Sequence, residues 1–274
     1  MPLLHIVILA LVQGLSEFLP ISSSGHLILA HEALGHRGAE MNLILDIAVH
    51  VGTLFAVLLY FRKDVMAMLC GCVCTAQGKG ADHKGRNMLV YVIVASLPVI
   101  IVGFILHSMM PDMWRSVTVT AWCTLVFGIV LWVADKKGSQ TRTVEDMGLK
   151  DALIVGAAQV LALIPGVSRS GITMTAARFL GVSRTESARF SMLLAMVAIS
   201  GAGALGSLSL LESGNLALGL DVLFAIVFSF LSALVALHLM MRWLEKASFT
   251  PFVIYRIALG VLLLGLIYGG VIPS

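Results

Sequence analysis

The chain has 274 residues, of which 59% are hydrophobic and only 12% are charged, and its formal net charge is +3. A soluble domain carries about 25% charged residues, and the mean hydropathy here is +0.99. This composition excludes a soluble enzyme, a disordered chain and a nucleic-acid-binding protein, since the last needs a basic surface. We therefore predict an all-α polytopic membrane protein whose surroundings are the lipid bilayer and which has no nucleic acid partner.

Eight hydrophobic stretches follow along the chain, and a spanning helix needs about 20 mostly apolar residues. The stretches cover residues 3–34, 41–61, 88–107, 117–134, 149–182, 187–211, 219–241 and 252–271. Six are continuous and are predicted to span the membrane. The first is broken at Pro20 and the fifth at Pro165, because proline removes a backbone donor. Freed backbone groups at membrane depth need protein or a wet cavity around them, so both broken stretches are predicted to be re-entrant helical hairpins.

The two broken stretches resemble each other when the sequence is shifted by 146 positions without gaps. Gln13 then aligns with Gln159, Ser22 with Ser168, Ser24 with Ser170, and Gly25 with Gly171. Each half contains one hairpin and three spans, which predicts a first repeat over 1–134 and a second over 149–274. Because three crossings are an odd number, the second repeat must be inverted relative to the first, as in many transporter folds.

Basic residues are concentrated in the segments that this topology places on one side of the membrane. These residues are Arg62, Lys63, Lys79, Lys84 and Arg86 in the 62–87 loop, Lys136, Lys137, Arg142 and Lys150 in the 135–150 loop, and Arg178, Arg184, Arg189, Arg242, Lys246 and Arg256 beyond it. The opposite side receives only Arg37 and Arg115. Cytoplasmic loops carry the excess of Lys and Arg. Both termini are therefore predicted to lie outside the cytoplasm, and the two hairpin tips to meet near the middle of the membrane.

The first tip carries an acid, three consecutive serines and a histidine, which are Glu17, Ser22, Ser23, Ser24 and His26, with Gly25 between the last two. Gln13 lies four residues before Glu17 and shares its helix face. The serines begin the outgoing helix, whose N-terminus attracts anions through free N–H groups and the helix dipole. Ser23 and His26, three residues apart, supply a nucleophile and a general acid/base.

The second tip, Ser168-Arg169-Ser170-Gly171, repeats this anion-binding pattern and adds a guanidinium group. The planar donors of arginine suit phosphate oxygens. Glu17 would repel a phosphate unless a divalent cation lay between them, and Mg²⁺ binds through one or two carboxylates together with substrate phosphates. The pattern predicts a phosphate site with Glu17 as a metal ligand.

Each of these residues alone has a simpler explanation. Serine in a membrane helix commonly joins helices, and a lone histidine is commonly a satisfied interior group. The cluster as a whole favours function, because charge inside a bilayer is costly. Asn42, Asp46 and His50 form a stripe that either lines the cavity or packs a helix interface. Arg256 is explained by snorkelling to the cytoplasmic surface.

The motif Gln-Gly-Leu-Ser-Glu-Phe-Leu-Pro-Ile-Ser-Ser-Ser-Gly-His at 13–26, with Pro-Gly-Val-Ser-Arg-Ser-Gly at 165–171, closely resembles the bacterial undecaprenyl pyrophosphate phosphatase family of the bacitracin-resistance type, which is unrelated to PAP2 phosphatases. The resemblance covers nearly the whole chain. It implies hydrolysis of undecaprenyl diphosphate to the monophosphate, which recycles the lipid carrier of peptidoglycan synthesis, and dependence on a divalent cation, Mg²⁺ or Ca²⁺.

By position, the resemblance implies catalytic roles for Glu17, Ser23, His26 and Arg169. The other tip residues, Ser22, Ser24, Gly25, Ser168, Ser170 and Gly171, are expected to bind substrate. Gln13 stands where many members have glutamate, so the site has one acid, and Gln13 is expected to be a neutral ligand of phosphate or metal. The family also implies the bacterial inner membrane, with the site open to the periplasm.

The rival interpretation is a polyprenyl-phosphate transporter or flippase, because inverted repeats with broken helices are typical of transporters. The spacing of Ser23 and His26 favours the enzyme, since a carrier needs no acid/base pair. Gly201 and Gly203 allow another helix to approach closely. Because such approach also occurs between two copies of a chain, a homodimer is expected.

Overall fold

The computed structural model describes residues 3–34, 39–76, 83–109, 116–213 and 219–272. Its eleven α-helices are α1 (Leu3–Ser16), α2 (Ser23–Leu34), α3 (Ala39–Tyr60), α4 (Arg62–Ala76), α5 (His83–Met109), α6 (Val117–Lys137), α7 (Leu149–Val160), α8 (Arg169–Phe179), α9 (Arg184–Ser213), α10 (Gly219–Leu244) and α11 (Thr250–Tyr268). Short 3₁₀ turns lie at Val144–Asp146 and Leu161–Leu163. The described part of the chain contains no β-strand, which confirms the all-helical prediction.

Within the described ranges, five helices are long and apolar enough to cross a membrane, at Met41–Tyr60, Lys84–Leu106, Val117–Lys137, Gly219–Leu244 and Thr250–Tyr268. Large apolar side chains on these helices are exposed, including Phe104, Leu239 and Ile254. Such a surface is unusual in a soluble protein and suits lipid. The chain is therefore a multi-pass membrane protein.

The sixth predicted span, 187–211, lies within α9. Many side chains in the second half of α9 are outside the described residues, and α9 is not among the five qualifying helices. The count of six spans stays a prediction. Arg37, Lys79 and Arg115, which support the predicted topology, also lie outside the described residues.

The segment that the sequence indicated as a loop at 62–87 is largely helical, because α4 occupies its first fifteen residues. α4 packs against α5. At Gly71 the helices lie so close that an added Cβ would sit 2.5 Å from the backbone nitrogen of Arg86. Cys70, Cys72 and Cys74 lie on this helix as free thiols. The basic residues of this segment were used to predict its side of the membrane, and they gave no indication that it is helical.

The two broken stretches are helix–turn–helix hairpins, the first formed by α1 and α2 and the second by α7 and α8. The hairpins exchange partners between the halves, since α1 packs on α10 whereas α7 packs on α5. Close contact needs small residues: a Cβ at Gly14 would collide with Ser232 and one at Gly156 with Ala95. This exchange brings the two tips together.

At one end of the bundle, buried Asp135 joins four helices. It accepts hydrogen bonds from Arg184 Nε (2.6 Å) and from the backbone N–H of Phe249 (3.2 Å), and it lies 3.5 Å from Arg178 Nε. Arg178 is fully buried and donates to the carbonyl groups of Ser139, Val182 and Gly138. This network fixes the far end of α8, whose near end carries the second tip.

Candidate active site

The first tip holds the carboxylate of Glu17 through its own hairpin. α1 ends at Ser16, and Glu17 is buried in the turn that follows. Gln13 Nε2 donates to Glu17 Oε2 at 2.8 Å, and Ser23 Oγ donates to the same oxygen at 2.6 Å. The first contact follows from the four-residue spacing on a helix, whereas the second closes the turn. Glu17 is therefore held in one orientation.

The second tip supplies the counter-charge. Arg169 Nη2 donates to Glu17 Oε1 at 2.7 Å, and both side chains are largely buried. Ser170 Oγ also donates across the tips to the carbonyl oxygen of Leu19 at 2.9 Å. The predicted contact between the two tips is thus present. The Nη1 group of Arg169 is buried and has no hydrogen-bond partner among the residues that the structure describes, and a buried donor of this kind is a position for a ligand oxygen.

Ser22 and Ser168 share an unusual backbone conformation. Their φ angles are 77° and 71°, the only positive values for residues other than glycine among the described residues. Each also places its hydroxyl near that of the serine two positions later, with Oγ–Oγ distances of 3.3 Å to Ser24 and 3.2 Å to Ser170. Strain of this kind is concentrated at functional sites. The positions that the sequence aligns therefore have matching local geometry.

A cavity of about 220 Å³ lies at the junction of the tips. Its polar wall consists of Glu17, Ser22, Ser23, Ser24, His50, Ser168, Arg169 and Ser170, and its apolar wall of Ala162, Ala198 and Ile199. Sites for whole drug-sized ligands occupy about 300–1,000 Å³. The cavity is below that range, so it fits a small polar headgroup.

Four residues that the sequence placed at the site do not line the cavity, namely Gln13, Gly25, His26 and Gly171. Gln13 is fully buried behind Glu17 and orients that carboxylate, and its predicted contact with phosphate or metal stays a prediction. Gly25 and Gly171 provide room instead: an added Cβ would lie 3.3 Å from Thr120 and 2.8 Å from Arg256, respectively.

The backbone N–H at the start of α8 is also committed elsewhere. Gly171 N donates to Ser168 Oγ at 3.1 Å, which is a helix N-cap. A capped N–H group is satisfied within the chain. The backbone N–H of Gly171 is therefore not the free anion donor that the sequence predicted. The donors that remain for an anion at this tip are hydroxyl and guanidinium groups.

His26 is half-buried and is not part of the cavity wall. Its Nδ1 lies 2.7 Å from the carbonyl oxygen of Ser22, so Nδ1 donates, and its Nε2 lies 2.5 Å from the hydroxyl group of Tyr255. The two rings are stacked with their centroids 5.6 Å apart. Ser23 bonds to Glu17, so the structure does not join Ser23 to His26 as the spacing suggested. A catalytic role of His26 stays a prediction.

The imidazole that does line the cavity is that of His50. Its Nδ1 donates to the carbonyl oxygen of Asp46 at 2.6 Å, and its Nε2 lies 3.9 Å from Glu17 Oε2. For His50, this decides between the two interpretations of the polar stripe on α3 in favour of the cavity. The stripe itself was the sequence signal, but α3 had to be placed against α1 before His50 could be separated from Asp46, which pairs with His31.

Arg256 was explained by snorkelling, and this is wrong. Its side chain is fully buried and donates to backbone carbonyl groups of both hairpin tips and of α6. A snorkelling side chain keeps its charged end in water. No local pattern distinguishes the two cases, because the partners are far away in the sequence.

The side chains around the cavity limit which metal ion could bind there. Among the described residues no group of three or more His, Cys, Asp or Glu side chains is placed to hold one. Glu17 is the single carboxylate of the cavity wall. One carboxylate is sufficient for Mg²⁺ where substrate phosphates complete the coordination, so the residues present fit a cation that arrives with a phosphorylated substrate.

Comparison with known proteins points in one direction. The family model described as "Bacitracin resistance protein BacA" matches residues 6–262. The chain is similar to a protein named "Undecaprenyl-diphosphatase" from Ruegeria pomeroyi, with 46% identity over 269 residues, 98% of this chain and 100% of that protein. It is also 46% identical to the protein of the same name from Teredinibacter turnerae, over 96% of this chain and 98% of that protein. The similarity therefore includes both tips.

Proposed function

The chain belongs to the BacA bacitracin resistance family, and on that premise we propose that it removes the terminal phosphate of undecaprenyl diphosphate to give undecaprenyl phosphate. It is a membrane hydrolase that recycles the lipid carrier of peptidoglycan synthesis. The observation that carries the proposal is the buried contact of Arg169 with Glu17 at the cavity, with Nη1 of the arginine left for a phosphate oxygen. The relatives are named as diphosphatases, so a transporter is not favoured.

Substrate recognition rests on charge and size. The cavity accepts the diphosphate, and the prenyl chain remains among the apolar helices outside it. Arg169 contacts Glu17 through Nη2 and can bind phosphate through Nη1 without giving up that carboxylate. Serine hydroxyl groups of both tips donate to the remaining oxygens. The same donors stabilise the charge that develops during phosphoryl transfer.

Ser23 is the nucleophile that the geometry favours. Its hydroxyl group already donates to Glu17 Oε2 at 2.6 Å, and a serine is activated by an adjacent base. Ser23 Oγ forms a bond to the terminal phosphorus as its proton passes to Glu17, and the bond from that phosphorus to the bridging oxygen breaks. Undecaprenyl phosphate leaves, and water then hydrolyses the phosphoserine to inorganic phosphate. Direct attack by water gives the same products without a phosphoserine, so rapid-quench trapping with labelled substrate separates the two routes.

We also propose a divalent cation, Mg²⁺ or Ca²⁺, with Glu17 as its protein carboxylate ligand. When bound, the ion neutralises phosphate charge. Chelation should abolish phosphate release, and either ion should restore it. Restoration by neither Mg²⁺ nor Ca²⁺ would refute the assignment.

The proposed topology is two inverted repeats with six spans and two re-entrant hairpins, both termini and the cavity opening on the periplasmic side of the bacterial inner membrane. The matching geometry of Ser22 and Ser168 and the reciprocal packing of α1 and α7 support it. Reporter fusions to both termini test the orientation. We further propose a homodimer, for which light scattering in detergent is the test.

The activity is tested by release of phosphate from undecaprenyl diphosphate by the purified protein. Arg169→Ala should lower kcat/KM by about 100- to 1,000-fold, the loss typical of a charge-stabilising donor, and Ser23→Ala should be similarly impaired. Ser139→Ala, a serine in the loop after α6, is the matched control and should leave the activity unchanged. Lipid translocation without phosphate release by the native protein would instead support a transporter.

A further inference from the structure

Arg256 on α11 is a buried cation whose partners are all backbone carbonyl groups. Nη1 donates to Pro20 O at 3.3 Å, Nη2 donates to Gly166 O at 2.9 Å and to Val167 O at 3.0 Å, and Nε donates to Thr124 O at 3.1 Å. No carboxylate in the described part of the chain forms an ion pair with it. A buried charge is tolerated only when hydrogen bonds replace water, and here the backbone supplies all of them.

Three of the carbonyl groups that Arg256 binds, those of Pro20, Gly166 and Val167, belong to the two breaks. Pro20 lies three residues after Glu17, and Gly166 lies three residues before Arg169. Breaking a helix leaves carbonyl groups without their usual donors, and inside a membrane these must be satisfied by protein. One guanidinium group satisfies carbonyls of both hairpins at once. It therefore links the two backbone segments from which the catalytic side chains project.

The chain makes room for this link at two glycines. An added Cβ at Gly171 would lie 2.8 Å from Arg256 Nη1, and one at Gly128 would lie 3.0 Å from the Cβ of Arg256. The guanidinium group is behind the tips, because Arg256 is not part of the cavity wall. Substrate in the cavity therefore leaves this link in place, whereas Arg169, which contacts Glu17 directly, lines the cavity itself.

We propose that Arg256 is a positioning residue, which ties the two hairpin tips together and thereby sets the separation of Glu17 and Arg169 during turnover. The role in turnover rests on the proposed phosphatase activity, whereas the tie between the tips is a property of the fold alone. Misplacement of a catalytic group by about 1 Å can cost about 100-fold in rate. Loss of the tie therefore acts on the chemical step, with the substrate-binding side chains still present.

The kinetic test compares Arg256→Met with Arg178→Met. Both arginines are fully buried and bonded to carbonyl groups, but Arg178 is at the other end of α8 and touches neither tip. Per folded molecule, Arg256→Met should lower kcat by about 100-fold with KM changed by less than about threefold, since only the transition state depends on alignment. Arg178→Met should reduce stability and leave kcat of the folded fraction unchanged. Equal kcat values in the two variants would overturn the proposal.

Arg256→Lys covers the case in which the methionine variant does not fold. Lysine keeps the charge but lacks the planar fork that reaches several carbonyl groups. The kcat should therefore fall by about tenfold, the equivalent of one hydrogen bond to a charged group, with the unfolding temperature nearly retained. A lysine variant with the native kcat would refute the positioning role.

A second readout needs no activity. Leu15 and Leu161 are exposed, occupy equivalent positions in the two repeats and stand just before each tip. Spin labels there, in a chain whose four cysteines are replaced by serine, report the distance between the hairpins. The distribution should be narrow in the native chain and broadened by Arg256→Met. If Arg256→Met leaves the distance distribution unchanged, the link between the tips is refuted, whether or not the protein releases phosphate. If the variant broadens the distribution but the native protein does not hydrolyse the substrate, only the proposed activity is refuted.

Discussion

Ser168→Gly should destabilise the protein less than Ser168→Ala does. At an ordinary helical position the order of stability is the reverse, with alanine more stable than glycine. Its φ of 71° and ψ of 113° lie outside the regions that residues with a side chain favour. Holding a residue there costs about 1–3 kcal/mol. Alanine at this position keeps that strain, whereas glycine removes it. Both variants lose the hydroxyl group that caps α8 through the N–H of Gly171.

The magnitude follows from three contributions. Relief of strain favours glycine by about 2–3 kcal/mol, the upper part of the range, because ψ is far from the left-handed minimum. The flexibility of glycine in the unfolded chain opposes this by about 0.4–1 kcal/mol, and the missing methyl group by up to about 0.8 kcal/mol. Ser168→Gly should therefore be more stable than Ser168→Ala by about 1 kcal/mol.

The assay is unfolding of the purified variants in detergent, with Ser191 as the matched control. Ser191 is, like Ser168, a buried serine, but it lies inside α9 and has an ordinary φ. At position 191 the alanine variant should be more stable than the glycine variant by about 1 kcal/mol. Both Ser168 variants should lose phosphatase activity, because the hydroxyl group lines the cavity. If alanine equals or exceeds glycine in stability at position 168, the argument from strain fails.

Three further changes probe other parts of the molecule. Gly166→Ala should destabilise the protein by about 3 kcal/mol or more, because φ is +88° and the new Cβ would collide with a carbonyl group of α6. Thermal unfolding checks this against Gly148→Ala, where the new Cβ has open space and the change at the N-cap of α7 should cost less than about 1 kcal/mol. Asp135→Asn should cost about 3–5 kcal/mol by leaving buried guanidinium charge without its partner, whereas Glu145→Gln, in an exposed pair, should cost less than about 1 kcal/mol in the same denaturation experiment. His50→Ala should lower kcat/KM by about tenfold, the equivalent of one hydrogen bond to a charged group, and activity equal to that of the native protein would show that this imidazole only borders the cavity.

Much of the site could be predicted because its origin is local. Pro20 and Pro165 interrupt the two hydrophobic stretches, and in the structure the helices end a few residues before them, α1 at Ser16 and α7 at Val160. Gln13 and Glu17 form the hydrogen bond that their spacing implies. The charge pattern required the tips to approach each other, and Arg169 meets Glu17. Each of these follows from helical periodicity or from the cost of charge in lipid, which are properties of short segments.

The remaining features depend on how distant helices pack. His50 and His26 are both histidines on apolar helices, and only the placement of α3 and α11 shows that the first faces the cavity and the second faces Tyr255. The sequence by itself determined a membrane protein with two polar helix–turn–helix hairpins, because composition and periodicity act along the chain. Only the tertiary structure decided that Arg256 binds the backbone of both hairpins and that Gln13 lies behind the carboxylate. These placements depend on how the helices pack, and the local sequence around each residue does not determine that packing.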